Sequence, residues 1–472
     1  MTRALAAALL AGTLFVARAQ DEPNPLEQSL KRMASVYSLL EANAADPVEP
    51  NHTFYDGALP AMLRKLDPHS VFFTPGQFEQ LREMQRSETK GFGTVVSILP
   101  GRVIVLQTME GTPSARAGLQ PGDEIVAVNN IRLDLLTSEQ LIGLLTESRR
   151  AEALLYVRRL TSPRLLEFRM RPEAMESPSV DRAFLLQPGI GYVRITSFEG
   201  ETGKQLKAAI EKLGGHALKA LVLDLRGNPG GILTSAVESA SLFLPPGQVV
   251  MSTRGRAKPN EEFKTASTEP HYAFPLAILV DDKSASASEI LAGAMQDHGR
   301  AKVAGTRTFG KGLVQSIFPL SQGTGIALTT AFYFTPKGRL IQRVLSEGQI
   351  ATAGEGGLRP DVEVERESVT RLRAFLDVSG LFTTFATQYV QSHNDITAGF
   401  TVSNDLLDEF QGFLSKRQVM PGVAEWSRDR EWIRSRLQQD ILNQAVGVET
   451  GDEVEIQRDQ QVKRALLELG VL

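Results

Sequence analysis

Residues 274–315, FPLAILVDDKSASASEILAGAMQDHGRAKVAGTRTFGKGLVQ, constrain the fold of this chain more than any other stretch. The apolar run 274–280 is short and nearly uninterrupted, which predicts a buried strand. A polar turn of small residues follows, and 289–295 begins a helix that Gly299 can end. Residues 300–305 predict a second strand, and Thr308-Phe309-Gly310-Lys311-Gly312 a loop. A strand, a tight turn and a helix form the setting in which nucleophilic serines are exposed beside the free N–H groups of a helix start.

A serine hydroxyl needs an adjacent base. Of the six histidines only His298 lies in this stretch, next to Asp297. Helix neighbours point about 100° apart, so that pair cannot line up behind one serine. A lysine can serve instead. Its ammonium pKa must then fall by roughly 3 units, about 4 kcal/mol of desolvation. Lys311, flanked by Gly310 and Gly312, is free to tuck inward, and Gln315 stands four residues on, where it could hold the amine by a hydrogen bond. Spacing alone does not choose among Ser284, Ser286 and Ser288, which alternate with alanines. Ser286-x-x-Glu289 also fits a capping box. On that bland reading Ser286 only caps a helix and Lys311 is a surface lysine.

The ordered pair SASASEILAGAMQDHGRA and GTRTFGKGLVQ closely resembles the signature of the carboxyl-terminal processing, or tail-specific, proteases. The resemblance implies Ser286 as nucleophile, Lys311 as base and Gln315 as its support. It extends to DLRGNPGG at 224–231, LTTAFYFTPKGRLIQ at 328–342 and GLRPDV at 357–362. It implies an oxyanion hole made by Gly230 or Gly231 together with the Ala287 N–H. It also implies an α/β core of the crotonase- and Clp-like ββα superhelix type. A glycine-rich turn after a strand leaves backbone N–H groups free to face a ligand. No P-loop lysine or serine follows this one, which argues against a phosphate site.

GLQPGDEIVAVN at 118–129 resembles the core of PDZ domains. That implies capture of an extended peptide along a sheet edge. The amides around Gly91, Phe92, Gly93 and Thr94 are expected to hold the terminal carboxylate. Leu141 and Leu145, at helical spacing, fit either an apolar pocket or the core.

The division expected is a signal peptide at 1–19, a helical segment at 20–88, the PDZ domain at 89–175, the peptidase core at 176–365 and a helical region at 366–472. Arg3, an apolar run over 4–16 and Ala17-Arg18-Ala19 predict cleavage after Ala19 and export, the bacterial periplasm suiting the resemblance. Leu26, Leu30, Met33, Val36, Tyr37 and Leu40 predict an amphipathic helix, and 55–66 a second one. LDPHS at 66–70 resembles the segment that precedes the PDZ domain in the same family. It is read as a turn, with His69 a packed or surface residue. The region 366–472 holds helical periodicity and no catalytic motif, and is expected to pack on the core or to join protomers.

A net charge of −4 gives no case for nucleic acid, and the absence of cysteine removes disulfides and thiolate metal sites. No metal or organic cofactor is implied. The substrates expected are proteins or peptides with apolar carboxyl termini; an activating or adaptor protein and a homo-oligomer are left open. Two other classes compete: a PDZ adaptor with a protease-like core that binds without cutting, and a crotonase-type enzyme acting on acyl-coenzyme A. The second predicts no PDZ insertion and needs no lysine at this spacing.

Overall fold

The computed structural model describes residues 24–85, 88–176, 178–257, 259–266, 270–343, 356–393 and 395–471. The expected signal peptide, and residues 344–355 ahead of GLRPDV, lie outside these. The chain forms two compact units, Met1–Leu63 and Arg64–Leu472.

In the first unit, the predicted amphipathic segment is the helix Pro25–Asn43. Asn24 caps it by accepting from the Leu26 N–H at 3.0 Å, and Pro25 sits at the first turn, where its missing N–H costs nothing. A π-helical turn, His52–Ala58, leads into Leu59–Arg64, where the second helix was expected.

The second unit is built on a six-stranded sheet. Its order is Val180–Gln187, Ile190–Ile195, Ala220–Asp224, Leu276–Val280, Lys302–Gly305 and Val362–Glu363. The first two strands form an antiparallel pair and every later pairing is parallel. Ala220–Asp224 and Leu276–Val280 are buried at every position, as expected of parallel strands covered on both faces. One face is covered by the helices Thr202–Leu213, Leu233–Ser241 and Ala287–Asp297. The other is covered by the end of the chain. Ile456, Val462, Ala465 and Leu466 pack against Tyr192, Val222, Ala277 and Leu279. The carboxyl-terminal region therefore supplies a layer of this α/β core. This mixed α/β core agrees with expectation; the finer ββα superhelix stays an expectation.

A second sheet places Gly325–Phe334 between Val71–Phe73 and Val249–Arg254, with Leu313–Pro319 also paired to Gly325–Phe334. The LDPHS segment is thereby carried alongside Gly325–Phe334, the strand to which Leu313–Pro319, just after Lys311, also pairs.

The domain expected to be PDZ-like enters and leaves through the antiparallel stem Glu88–Gly91 and Glu173–Glu176. Its sheet runs Thr94–Leu99, Arg102–Thr108, Glu124–Val128, Ala153–Arg158 and Leu166–Met170. In the GLQPGD turn Asp123 accepts from the Gln120 N–H at 2.8 Å and from both ends of the Arg159 guanidinium at 2.7 Å. The helices Arg371–Ser379, Leu381–Ser392, Asn404–Lys416 and Val423–Ala445 share an aromatic-rich core of their own. They also hold the PDZ domain, through Arg102 to the Thr384 hydroxyl at 2.8 Å.

Candidate active site

Strand Leu276–Val280 ends in Asp281, whose Oδ1 accepts N–H bonds from Gly227 (2.9 Å), Lys283 (3.0 Å) and Ser284 (3.0 Å). A short polar side chain that takes three amides folds the turn tightly. The three alternating serines then part ways. The Ser284 hydroxyl donates to Leu225 O at 2.7 Å, and the Ser288 hydroxyl to Asn228 O at 3.0 Å; both are fully buried. Ser286 stands at the N-cap of helix Ala287–Asp297 with φ 54° and ψ −114°. An ordinary capping residue lies in the β region. Left-handed backbone at a non-glycine residue costs on the order of 1–3 kcal/mol and persists where the surroundings enforce it.

Glu289 does much of that enforcing. It is completely buried, and its Oε2 accepts the N–H groups of Ser286 (2.9 Å) and Lys311 (2.9 Å). Its Oε1 accepts the Gly310 N–H at 2.8 Å and the Thr308 hydroxyl. One carboxylate thus ties the helix start to the FGKG loop. Burial raises its pKa above the ordinary glutamate value, while these hydrogen bonds pull the other way. The fully buried Tyr333 adds a second tie, its hydroxyl within reach of Ser286 O at 3.2 Å and Lys311 O at 2.7 Å.

The glycines beside Lys311 are needed for close approach. A Cβ at Gly310 would stand 2.8 Å from Gly357 N, and one at Gly312 would stand 2.8 Å from Gln342 N. Lys311 is half-buried, and burial lowers its pKa against the opposing pull of Glu289. Among the described residues its side chain makes no hydrogen bond.

Gln315 departs from expectation. Its side-chain amide donates to His69 O at 2.6 Å, and not to the lysine amine. The reason is the sheet: Val71–Phe73 pairs with the strand that Leu313–Pro319 also flanks, which brings the LDPHS turn alongside. That turn forms as expected, with Asp67 accepting from the N–H groups of His69 (2.7 Å) and Ser70 (2.8 Å). His69 is partly buried, and its pKa is lowered by burial and then by the Lys311 charge, with Asp67 opposing. It therefore lies within electrostatic reach of the lysine.

The 224–231 turn reaches the same place from the neighbouring strand. Asn228 is buried; its amide donates to Ile195 O at 2.9 Å, its Oδ1 accepts the Gly230 N–H at 2.8 Å, and its carbonyl accepts the Ala285 N–H at 3.0 Å. Gly230 has φ 95°, and a Cβ there would lie 2.7 Å from Ser286 Cβ and 2.9 Å from Ala287 N. Gly231, at φ 146°, is exposed and bridges to Phe198.

In the PDZ domain, Gly91 closes the stem opposite Glu173. Phe92 packs on the domain core, and its carbonyl accepts the Ser114 N–H at 2.9 Å. Gly93, at φ 76°, accepts from the Met109 N–H at 2.8 Å, and Thr94 opens the strand Thr94–Leu99. Among the described residues that strand pairs on one side only, with Arg102–Thr108. Leu141 is fully buried in the core and Leu145 packs against it, so the structure gives both to the interior. The exposed apolar residue of that helix is Ile142.

Sequence reasoning missed Glu289, Tyr333, Asp281 and the placement of His69. Only Glu289 left a signal, its position in the capping box, and there it was read as local helix chemistry.

Comparison with known proteins bears on the same segments. Residues 189–364 match the model of peptidase family S41, and residues 104–159 that of the PDZ domain. A carboxy-terminal-processing protease of Bartonella bacilliformis is 31% identical over 370 residues, covering 77% of this chain and 82% of its own. A carboxyl-terminal-processing protease of Synechocystis is 33% identical over 319 residues, covering 66% and 71%. Among solved structures, the photosystem II D1 C-terminal processing protease matches with 27% identity and a TM-score of 0.43, covering 72% of this chain and 87% of that one. The chain belongs to peptidase family S41, as a carboxyl-terminal processing serine protease with a PDZ domain.

Proposed function

We propose that this protease is exported and works through a Ser286–Lys311 dyad on proteins chosen by their carboxyl-terminal tails. The Ser286 Oγ attacks the scissile carbonyl, and neutral Lys311 takes its proton and later returns it to the leaving amine. The observation that carries this is the Glu289 carboxylate, which holds the amides of both residues at 2.9 Å in one framework. Burial supports the base, because a desolvated ammonium gives up its proton more easily. Closure of the pair by a direct hydrogen bond is expected on substrate binding.

The oxyanion falls to the Ala287 N–H and the Gly231 N–H, since the Gly230 N–H is already taken by Asn228. Gly230 serves by lacking a side chain where the two donors converge. Gln315 acts through the LDPHS turn, steadying the strand that follows the base. Neutral His69 keeps a second positive charge away from Lys311.

Tails with apolar ends are expected to add to the open edge of Thr94–Leu99, with their carboxylate at 91–94 and a side chain against Ile142. Export through the 1–19 leader, assembly as a homo-oligomer, and low basal activity relieved by a partner or by substrate belong to the same proposal. Cell fractionation and sedimentation with and without substrate check these. For the dyad, Ser286→Ala and Lys311→Ala are each expected to stop cleavage of an unfolded protein ending in apolar residues. Undiminished cleavage by either variant would refute it.

A further inference from the structure

The 224–231 turn is held from a direction that the family signature does not contain. Arg226 lies directly before Gly227 and four residues before Gly230. The Arg226 Nε donates to both Asp224 oxygens at 3.0 Å, and Nη2 donates to Asp224 Oδ2 at 2.6 Å. The remaining nitrogen, Nη1, reaches the end of the chain, donating to Asp459 Oδ2 at 2.6 Å and to Gln461 Oε1 at 2.8 Å. Asp459 uses its other oxygen to cap the last helix, Gln460–Glu468, accepting the N–H groups of Gln461 (2.7 Å) and Val462 (3.2 Å). Gln461, itself buried, donates to Val364 O at 2.7 Å. The helix is seated under the sheet by Val462, Ala465 and Leu466, so the anchor is rigid.

We propose that Asp459 and Gln461 are positioning residues for the peptidase site. They hold the Arg226 guanidinium, and through it they fix how closely the glycine turn approaches Ser286 and Ala287. The turn has little slack: Gly227 is tied to Asp281 at 2.9 Å, and Gly230 leaves no room for a Cβ against Ser286. Arg226 with Asp224 alone is pinned to its own strand. The bonds to Asp459 and Gln461 are what tie it to a second, separately packed layer. The carboxyl-terminal region thereby takes part in forming the oxyanion site, and this rests on the proposed Ser286–Lys311 chemistry.

Asp459→Asn tests it on the full chain, because asparagine caps a helix as well as aspartate while presenting no charge to Arg226. Two quantities are read. The first is kcat and KM on an unfolded protein with an apolar tail. The second is the inhibition constant of a peptide aldehyde, whose carbonyl carbon bonds to Ser286 Oγ as the proton passes to Lys311 and the carbonyl oxygen becomes the oxyanion. Asp459→Asn is expected to lower kcat roughly tenfold, leave KM unchanged and weaken the aldehyde roughly tenfold in parallel, as misplacement of oxyanion donors requires. Gln461→Ala, which removes a neutral acceptor, is expected to do the same to a smaller extent, and it decides the matter if Asp459→Asn does not fold. Wild-type kcat and aldehyde binding in the folded variants, beside a silent Ser286→Ala, would overturn this proposal alone. Full cleavage by Ser286→Ala would overturn the dyad on which it rests.

Discussion

Glu289 in the peptidase core and Leu141 in the PDZ domain are both completely buried on short helices, and each lies within reach of a proposed binding surface. Their environments are opposites. Glu289 is surrounded by three backbone amides and a hydroxyl, in a turn where Asp281, Ser284, Asn228 and Thr308 are also buried and bonded. Leu141 is surrounded by Val103, Leu155 and other apolar groups. A buried polar network fixes geometry because each unmade bond costs on the order of 1–3 kcal/mol, so the backbone has one acceptable arrangement. An apolar core resists loss of volume but tolerates rearrangement of similar shapes. Changes in the first environment should therefore appear in kcat, and changes in the second in stability. Changes in the exposed side chains of the PDZ domain should instead appear in KM.

The largest effect expected among these follows from Gly230→Ala. The new Cβ would stand 2.9 Å from Ala287 N, at a φ of 95° that disfavours any side chain. Catalysis is expected to fall by about 10²–10³-fold, as when an oxyanion donor is lost. Steady-state kinetics on folded protein checks it, and retained activity would show that the two loops are not tightly apposed. Glu289→Gln comes next. An amide replaces one acceptor oxygen with a donor that faces N–H groups, so kcat should drop by about 10- to 100-fold with KM little changed.

The PDZ half of the contrast is sharpened by two neighbouring substitutions. Leu141→Ala is expected to cost about 2–5 kcal/mol of stability, read by denaturant melts, with KM for tailed substrates unaltered in the folded fraction. Ile142→Glu should leave stability alone and raise KM roughly tenfold, which corresponds to about 1.4 kcal/mol of binding. If Leu141→Ala changed tail preference while Ile142→Glu did not, the helix would face its groove the other way.

The smallest effect is one of pH. The Lys311 pKa is lowered in the folded chain, so the base gains activity as pH rises, with a midpoint below that of an ordinary lysine. Between the lowered and the ordinary value the unfolded chain binds the extra proton. This residue's contribution to stability therefore increases with pH across that window. Lys311→Met should abolish that slope. An unchanged slope would mean that the lysine is not desolvated.

Much of the site was legible because its parts are local. The alternation of serines and alanines, the lysine between glycines and the glycine-rich turn each sit inside one short stretch. What sequence could not choose was which serine is free, since that depends on Ser284 and Ser288 bonding to carbonyls 59 and 60 residues away. The same holds for Gln315, whose partner His69 lies 246 residues away and arrives only through strand pairing. The phase of the PDZ helix stayed open in the sequence because Leu141, Ile142 and Leu145 are all apolar, so periodicity does not say which faces outward. The carboxyl-terminal helices read as amphipathic, but nothing in their pattern names the sheet that they cover or the arginine that they hold.

The dyad itself is tested most directly by following an unfolded protein with an apolar carboxyl terminus by intact mass, incubated with wild type, Ser286→Ala and Lys311→Ala. The account predicts fragments with wild type only, while both variants stay folded and intact. Fragments of the same masses from Ser286→Ala at the wild-type rate would contradict it.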